Sequence, residues 1–173
     1  MMLCGAGAIG GFFGGHLIKA GADVSFLVRA KRQKNLKKFG LRVLSAQGDF
    51  KVIPKFFNKE IESKTFDLII LTNKSYDLDA TIRDIKPHAK NAVILPTLNG
   101  IAHFFKLDEA FGKKNVFGGF LPCLTSDSDS SRVSASVHPV FVEKYPFWTT
   151  LGQKGKRKAC RQLRLIKLYS LKQ

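Results

Sequence analysis

The sequence predicts an α/β chain: a doubly wound, parallel sheet with antiparallel strands at its edge and a helix at the C-terminal end. Three observations predict it. A short apolar run, a glycine-rich turn and a segment of helical periodicity follow one another at the N-terminus. Two later runs, 66–72 and 92–95, are almost wholly apolar, as expected of parallel strands buried on both faces. Segments with apolar residues at helical spacing alternate with the strand-like runs.

Taken in order, residues 1–4 read as the end of a buried strand, and 9–20 carry Ile9, Phe12, Phe13, Leu17 and Ile18 at helical spacing. Residues 24–28 form the second strand, and 31–39 a short, strongly basic helix closed by Gly40. Residues 41–44 and 50–53 flank Gln47-Gly48-Asp49, a hairpin or a pair of small strands. After the strand at 66–72, residues 76–88 read as helix, with Leu78, Ile82 and Ile85 toward the core and Pro87 near the end. The strand at 92–95 leads through Asn99-Gly100 to a helix at 101–111 and a further strand at 116–121. Residues 125–136, rich in Ser and Asp, read as a mobile loop; 136–142 and 148–151 read as antiparallel edge strands. This divides the chain into a domain at 1–153 and a basic amphipathic helix at 154–173.

A length of 173 residues suffices for one well-buried domain and is short for a two-domain dehydrogenase. No apolar run approaches the ~20 residues of a membrane span, and the first strand starts so near Met1 that no secretory leader is expected. Cys4, Cys123 and Cys160 lack metal-ligand spacing, so neither a metal site nor a disulfide framework is expected, and a reducing cytoplasm is the expected location. The net charge of +16 raises nucleic acid as a partner, but more than half of it lies after Glu143, where no acid occurs. There Ala159, Leu163, Ile166 and Tyr169 gather opposite Arg157, Lys158, Arg161 and Arg164 on a helical wheel. A solvated helix face is the preferred reading over a nucleic-acid-binding tail.

The turn Gly5-Ala6-Gly7-Ala8-Ile9-Gly10 carries the spacing G-x-G-x-x-G between strand and helix, the context of a dinucleotide phosphate site in a Rossmann-type domain. Gly5 serves the tight turn, Gly7 the approach of a pyrophosphate, and Gly10 the packing of helix on strand. At the tip of the second strand an NAD site places an acid; here the chain reads Val28-Arg29-Ala30-Lys31-Arg32. Arg29 offers a planar fork to a 2′-phosphate, which points to NADP. Lys74 is a candidate point charge for cofactor phosphates or an anionic substrate, against an ordinary surface lysine. Asn99 is a candidate hydrogen-bonding group for ribose or substrate, against a simple Asn-Gly turn.

Together, Gly5-Ala6-Gly7-Ala8-Ile9-Gly10-Gly11, Phe26-Leu27-Val28-Arg29, Lys74-Ser75-Tyr76-Asp77, Asn99-Gly100 and Gly118-Gly119 resemble the N-terminal half of the ketopantoate reductases (2-dehydropantoate 2-reductases). Leu98 stands where that family usually has glutamine, and Asn73 where it usually has valine. The resemblance implies NADPH-dependent reduction of a 2-keto acid, ketopantoate, to pantoate on the way to coenzyme A. It implies that Gly5, Gly7 and Gly10 hold the pyrophosphate, Arg29 the 2′-phosphate, and that Lys74 and Asn99 reach the cofactor and substrate side. The family's proton-donating lysine lies in a helical C-terminal domain, so the chain is expected to be a truncated, catalytically incomplete part with no assignable catalytic residue. His16, His88 and His138 fall on helix or edge positions, and His103 reads as a cap or surface group. The alternatives are a non-catalytic dinucleotide-binding or basic interaction module, and a decayed product that self-associates.

Overall fold

The computed structural model describes residues 1–44, 48–118, 123–129 and 132–137, the last two segments as backbone. The strand β1 (Met2–Cys4) leads into helix α1 (Ala8–Lys19), then β2 (Ser25–Leu27) and α2 (Ala30–Phe39). Next come β3 (Leu41–Leu44), β4 (Phe50–Val52), β5 (Lys55–Phe56) and β6 (Leu68–Leu71). Helix α3 (Leu78–Ile85), β7 (Val93–Pro96), α4 (Ala102–Phe111), β8 (Cys123–Asp129) and β9 (Arg132–Val137) complete the order.

Five strands form a parallel sheet in the order β5-β2-β1-β6-β7, so chain order runs outward in both directions from β1. The apolar runs are explained by burial on both faces. Leu3, Leu68, Ile70, Val93 and Leu95 enter the core on the α1 side, while Met2, Cys4, Ile69, Leu71 and Ile94 enter the core beneath α3 and α4. At ~25 cal/mol per Å² of apolar surface removed from water, these alternating side chains supply the main drive for closing the sheet. Burial also pushes the Cys4 thiol pKa well above its usual value.

The second sheet, in the order β4-β3-β9-β8, corrects the expectation for 125–136. That stretch is largely paired strand: β9 runs parallel to β3 and antiparallel to β8, with an irregularity between Asp127 and Asp129. Backbone pairing with the hairpin of β3 and β4 overrides the low strand preference of Ser and Asp. These strands belong to a separate mixed sheet, and residues 138–142 of the expected strand at 136–142 lie outside the described residues. Helix α1 lies between the two sheets, which is why Gly10 through Leu17 are all buried.

Three further expectations change. The helix at 76–88 is interrupted: a 3-10 turn at Ser75–Asp77 precedes α3, and another at Lys86–His88 follows it, where Pro87 has no N–H to continue the helix. Within 116–118 the expected strand reduces to a single parallel bridge between Val116 and Ile94. The strand at 148–151, the basic helix at 154–173 and His138 lie outside the described residues. Among the described residues no helix is long and apolar enough to cross a membrane.

Candidate functional site

The turn from β1 into α1 is held from three sides. Gly5 has φ +99°, a conformation that side chains rarely adopt, and its N–H bonds the Leu27 carbonyl at 3.0 Å. A Cβ on Gly10 would overlap both the Gly5 carbonyl and the Thr72 hydroxyl, so helix and strand approach as closely as they do because Gly10 has none. Gly7, extended at φ −75° and ψ −163°, is exposed at the start of α1, and its carbonyl accepts from the Gly11 N–H at 2.7 Å. No side chain caps α1 and its first turn has no acid. The first N–H groups of a helix have no intrahelical partner, so this end offers donors and partial positive charge to an anion. Ala6 is buried, and Ala8 and Ile9 are half-buried. The uncapped start of α1 beside the exposed Gly7 is the kind of donor set a dinucleotide diphosphate would need.

Two side chains that tie the turn together escaped the motif. Thr72, immediately after β6, donates through Oγ1 to the Cys4 carbonyl at 2.8 Å, with the Gly5 carbonyl at 3.3 Å. The pairing of Cys4 with Leu71 sets Thr72 beside the first residue of the turn. A lone hydroxyl ending an apolar run was the available signal. Arg32, three residues past Arg29, donates through Nε to the Ala6 carbonyl at 2.9 Å and through a terminal nitrogen at 2.5 Å.

Arg29 stands at the N-terminal end of α2, largely exposed, and its guanidinium pairs with Asp77 at 2.5 Å. The structure therefore brings an acid to the strand tip where the local sequence has none. Lys74 is exposed on the 3-10 turn after β6, its carbonyl accepting from Asn73 Nδ2 at 3.1 Å and from the Asp77 N–H at 3.0 Å. Asn73 Oδ1 is buried with no hydrogen-bond partner among the described residues. Asn99 and Gly100 are exposed after β7, on a loop anchored by Thr97, whose N–H and Oγ1 both donate to the Leu71 carbonyl at 2.9 Å. Arg29 and Asp77 are joined directly; among the described residues no side-chain hydrogen bond joins Lys74 or Asn99 to the glycine turn.

The histidines differ from expectation in one case. His103 is buried in α4, its ring 4.2 Å from that of Phe104, and burial lowers its pKa; it is neither a surface group nor a cap. His16 lies inside α1 with its ring 4.4 Å from that of Phe12 and 4.7 Å from that of Phe50. Burial, assisted by Lys19, lowers its pKa to about 4, so it is neutral near pH 7. His88 sits with Nδ1 2.9 Å from the Lys64 carbonyl, its ring 4.7 Å from that of Phe57.

A parallel sheet wound outward from β1, with a glycine turn entering the first helix, defines a Rossmann-type α/β domain. Within that class the chain belongs to an oxidoreductase family, ketopantoate reductase PanE/ApbA, whose family profile matches residues 1–139. Among curated proteins it is 39% identical over 146 residues to the uncharacterized oxidoreductase YkpB of Bacillus subtilis, covering 82% of this chain and 48% of that protein. It is 36% identical over 128 residues to the 2-dehydropantoate 2-reductase of Lactococcus lactis, covering 68% of this chain and 39% of that enzyme. The chain thus spans less than half the length of these relatives. In structure it resembles the 2-dehydropantoate 2-reductase of Geobacter metallireducens, with TM-score 0.80 and 22% identity over 96% of this chain and 56% of that one. It also resembles D-mandelate dehydrogenase solved with NADH and anilino(oxo)acetate, with TM-score 0.78 and 24% identity over 98% of this chain and 54% of that one.

Proposed function

We propose that this chain is the cofactor-binding part of an NADPH-dependent oxidoreductase that reduces a 2-keto acid of the ketopantoate kind. The observation that carries the reading is the uncapped start of α1 entered through Gly5 at φ +99° and packed through Gly10, where a Cβ would overlap the strand. Gly5, Gly7 and Gly10 would hold the diphosphate, with Ala6, Ala8 and Ile9 supplying backbone to the same turn. Arg29 would bind the 2′-phosphate through its planar fork, which favours NADPH over NADH. Lys74 and Asn99, on loops after β6 and β7, would reach the cofactor and the anionic substrate. When bound, the nicotinamide supplies the hydride.

As the carbonyl oxygen of a keto acid gains negative charge, a donor must protonate or stabilise it. His16 and His88 do not suit that task, being packed against phenylalanine rings. Because its match spans less than half the length of these curated relatives, we infer that the 173-residue chain binds cofactor without completing turnover. Titration calorimetry should show NADPH binding, weakened about tenfold by Arg29→Ala while NADH binding stays nearly constant, the loss expected for one charge-assisted phosphate contact. No heat with either dinucleotide would refute cofactor binding. Ketopantoate-dependent NADPH oxidation by the purified chain at rates typical of enzymes would refute the incompleteness.

A further inference from the structure

The carboxylate of Asp77 is placed where its sequence neighbours give no reason for it. Asp77 occupies the position before α3 from which aspartates commonly cap a helix, yet its side chain makes no capping hydrogen bond. It reaches instead to Arg29, 48 residues away in sequence, at 2.5 Å. The backbone of Asp77 is tied down on both sides: its N–H bonds the Lys74 carbonyl at 3.0 Å, and its carbonyl accepts from Thr81 Oγ1 at 2.9 Å. In the sheet β1 lies between β2 and β6, so the pair joins the loops that follow the two strands flanking the glycine turn. The side chain of Asp77 is 31% exposed against 78% for Arg29, so the carboxylate is the more buried partner and the guanidinium the one open to a ligand.

This geometry bears on which dinucleotide the site accepts, and so rests on the reading that the turn binds one. A 2′-phosphate brings a charge of about −1.5 to −2 and competes for the terminal guanidinium nitrogen, Nη2, that Asp77 holds. It must share or displace the carboxylate, and the two anions repel. A 2′-hydroxyl carries no charge and offers a proton to a carboxylate, the role an acid plays at the tip of the second strand in NAD sites.

We propose that Asp77 is a specificity-determining residue that narrows the preference of this site for NADPH over NADH. It does so by neutralising Arg29 toward the phosphate and by standing in, from a neighbouring loop, for the acid that β2 lacks. The full 173-residue chain, titrated calorimetrically with NADPH and NADH, provides the test. Asp77→Asn, which keeps the shape and removes the charge, should tighten NADPH about fivefold and leave NADH unchanged or weaker, the scale of a partly exposed ion pair. Asp77→Ser should act in the same direction, and Asp77→Glu should keep the wild-type ratio. In an Arg29→Ala background, Asp77→Asn should tighten NADPH less, because the guanidinium it frees is gone. Equal changes for both dinucleotides, or an unchanged ratio, would overturn the role of Asp77 while leaving cofactor binding intact. A wild-type chain that binds neither dinucleotide overturns the parent reading and this inference with it.

Discussion

The loops that follow β1 and β7 leave the same sheet two strands apart and are held in opposite ways. In the first, Gly5 and Ala6 are held by the Leu27 carbonyl, the Thr72 hydroxyl and the Arg32 guanidinium, and Gly10 closes the packing behind them. In the second, Thr97 anchors the start, and Asn99, Gly100 and Ile101 then stand exposed. A diphosphate site needs donors fixed before the ligand arrives, because ordering them on binding reduces affinity. The contrast places preorganisation at the turn proposed to hold the cofactor and leaves the second loop to groups that the described residues do not fix.

The largest effect that would break this comparison lies in the two glycines. Gly10→Ala forces a methyl group onto the Gly5 carbonyl and the Thr72 hydroxyl, and should destabilise the chain by about 3 kcal/mol while abolishing dinucleotide binding. Gly100 has φ +83° and nothing within 4 Å of the place a Cβ would take, so Gly100→Ala meets only backbone strain, about 1 kcal/mol. Thermal unfolding and calorimetry of both variants check the ranking. Equal losses would show that the first turn is no more tightly packed than the second.

Next in size is the pH response of α1, the helix that carries the first turn. The ring of His16 has its pKa lowered from 6.5 to about 4 by burial, so between those values the unfolded chain binds more protons than the folded one. Stability must therefore fall as pH drops through 6.5 and level off below about 4, a loss of at most about 3 kcal/mol from this group. His103, lowered in the same direction, adds a loss of the same sign. Urea midpoints measured across that range should flatten in His16→Leu, and an unchanged slope would assign the response to other groups.

What could be read in advance follows from how local each cause is. Gly5 and Gly10 announced the turn because glycine alone satisfies the backbone angle at the first and the close contact at the second within one stretch of chain. The runs at β6 and β7 were legible because each buries both faces. Arg29 was recognised as a strand-tip cation, but its partner Asp77 comes from another loop and follows from tertiary placement alone. Residues 125–136 misled for the same reason: their polar composition suits a loop, and pairing with β3 makes them strand. His103 was misplaced because one histidine after an Asn-Gly turn does not reveal which face of α4 it joins.

The smallest effect gives the sharpest version of the comparison. Thr72 and Thr97 each follow a parallel strand by one residue, and each donates its N–H and hydroxyl to the carbonyl at or near the end of the neighbouring strand, Cys4 for Thr72 and Leu71 for Thr97. Valine at either position keeps the shape, removes one hydroxyl bond and leaves the backbone bond in place. Each substitution should therefore destabilise the chain by about 1 kcal/mol. Their effects on binding should part, however. Thr72→Val releases the Gly5 end of the turn and should weaken both dinucleotides alike, since it changes the positioning of the diphosphate site and not its charge. Thr97→Val, anchoring the exposed loop, should leave dinucleotide affinity within about twofold of wild type. If Thr97→Val weakens binding as much as Thr72→Val, the second loop takes a larger part in holding the cofactor than its open geometry suggests, and Asn99 becomes the residue to substitute next.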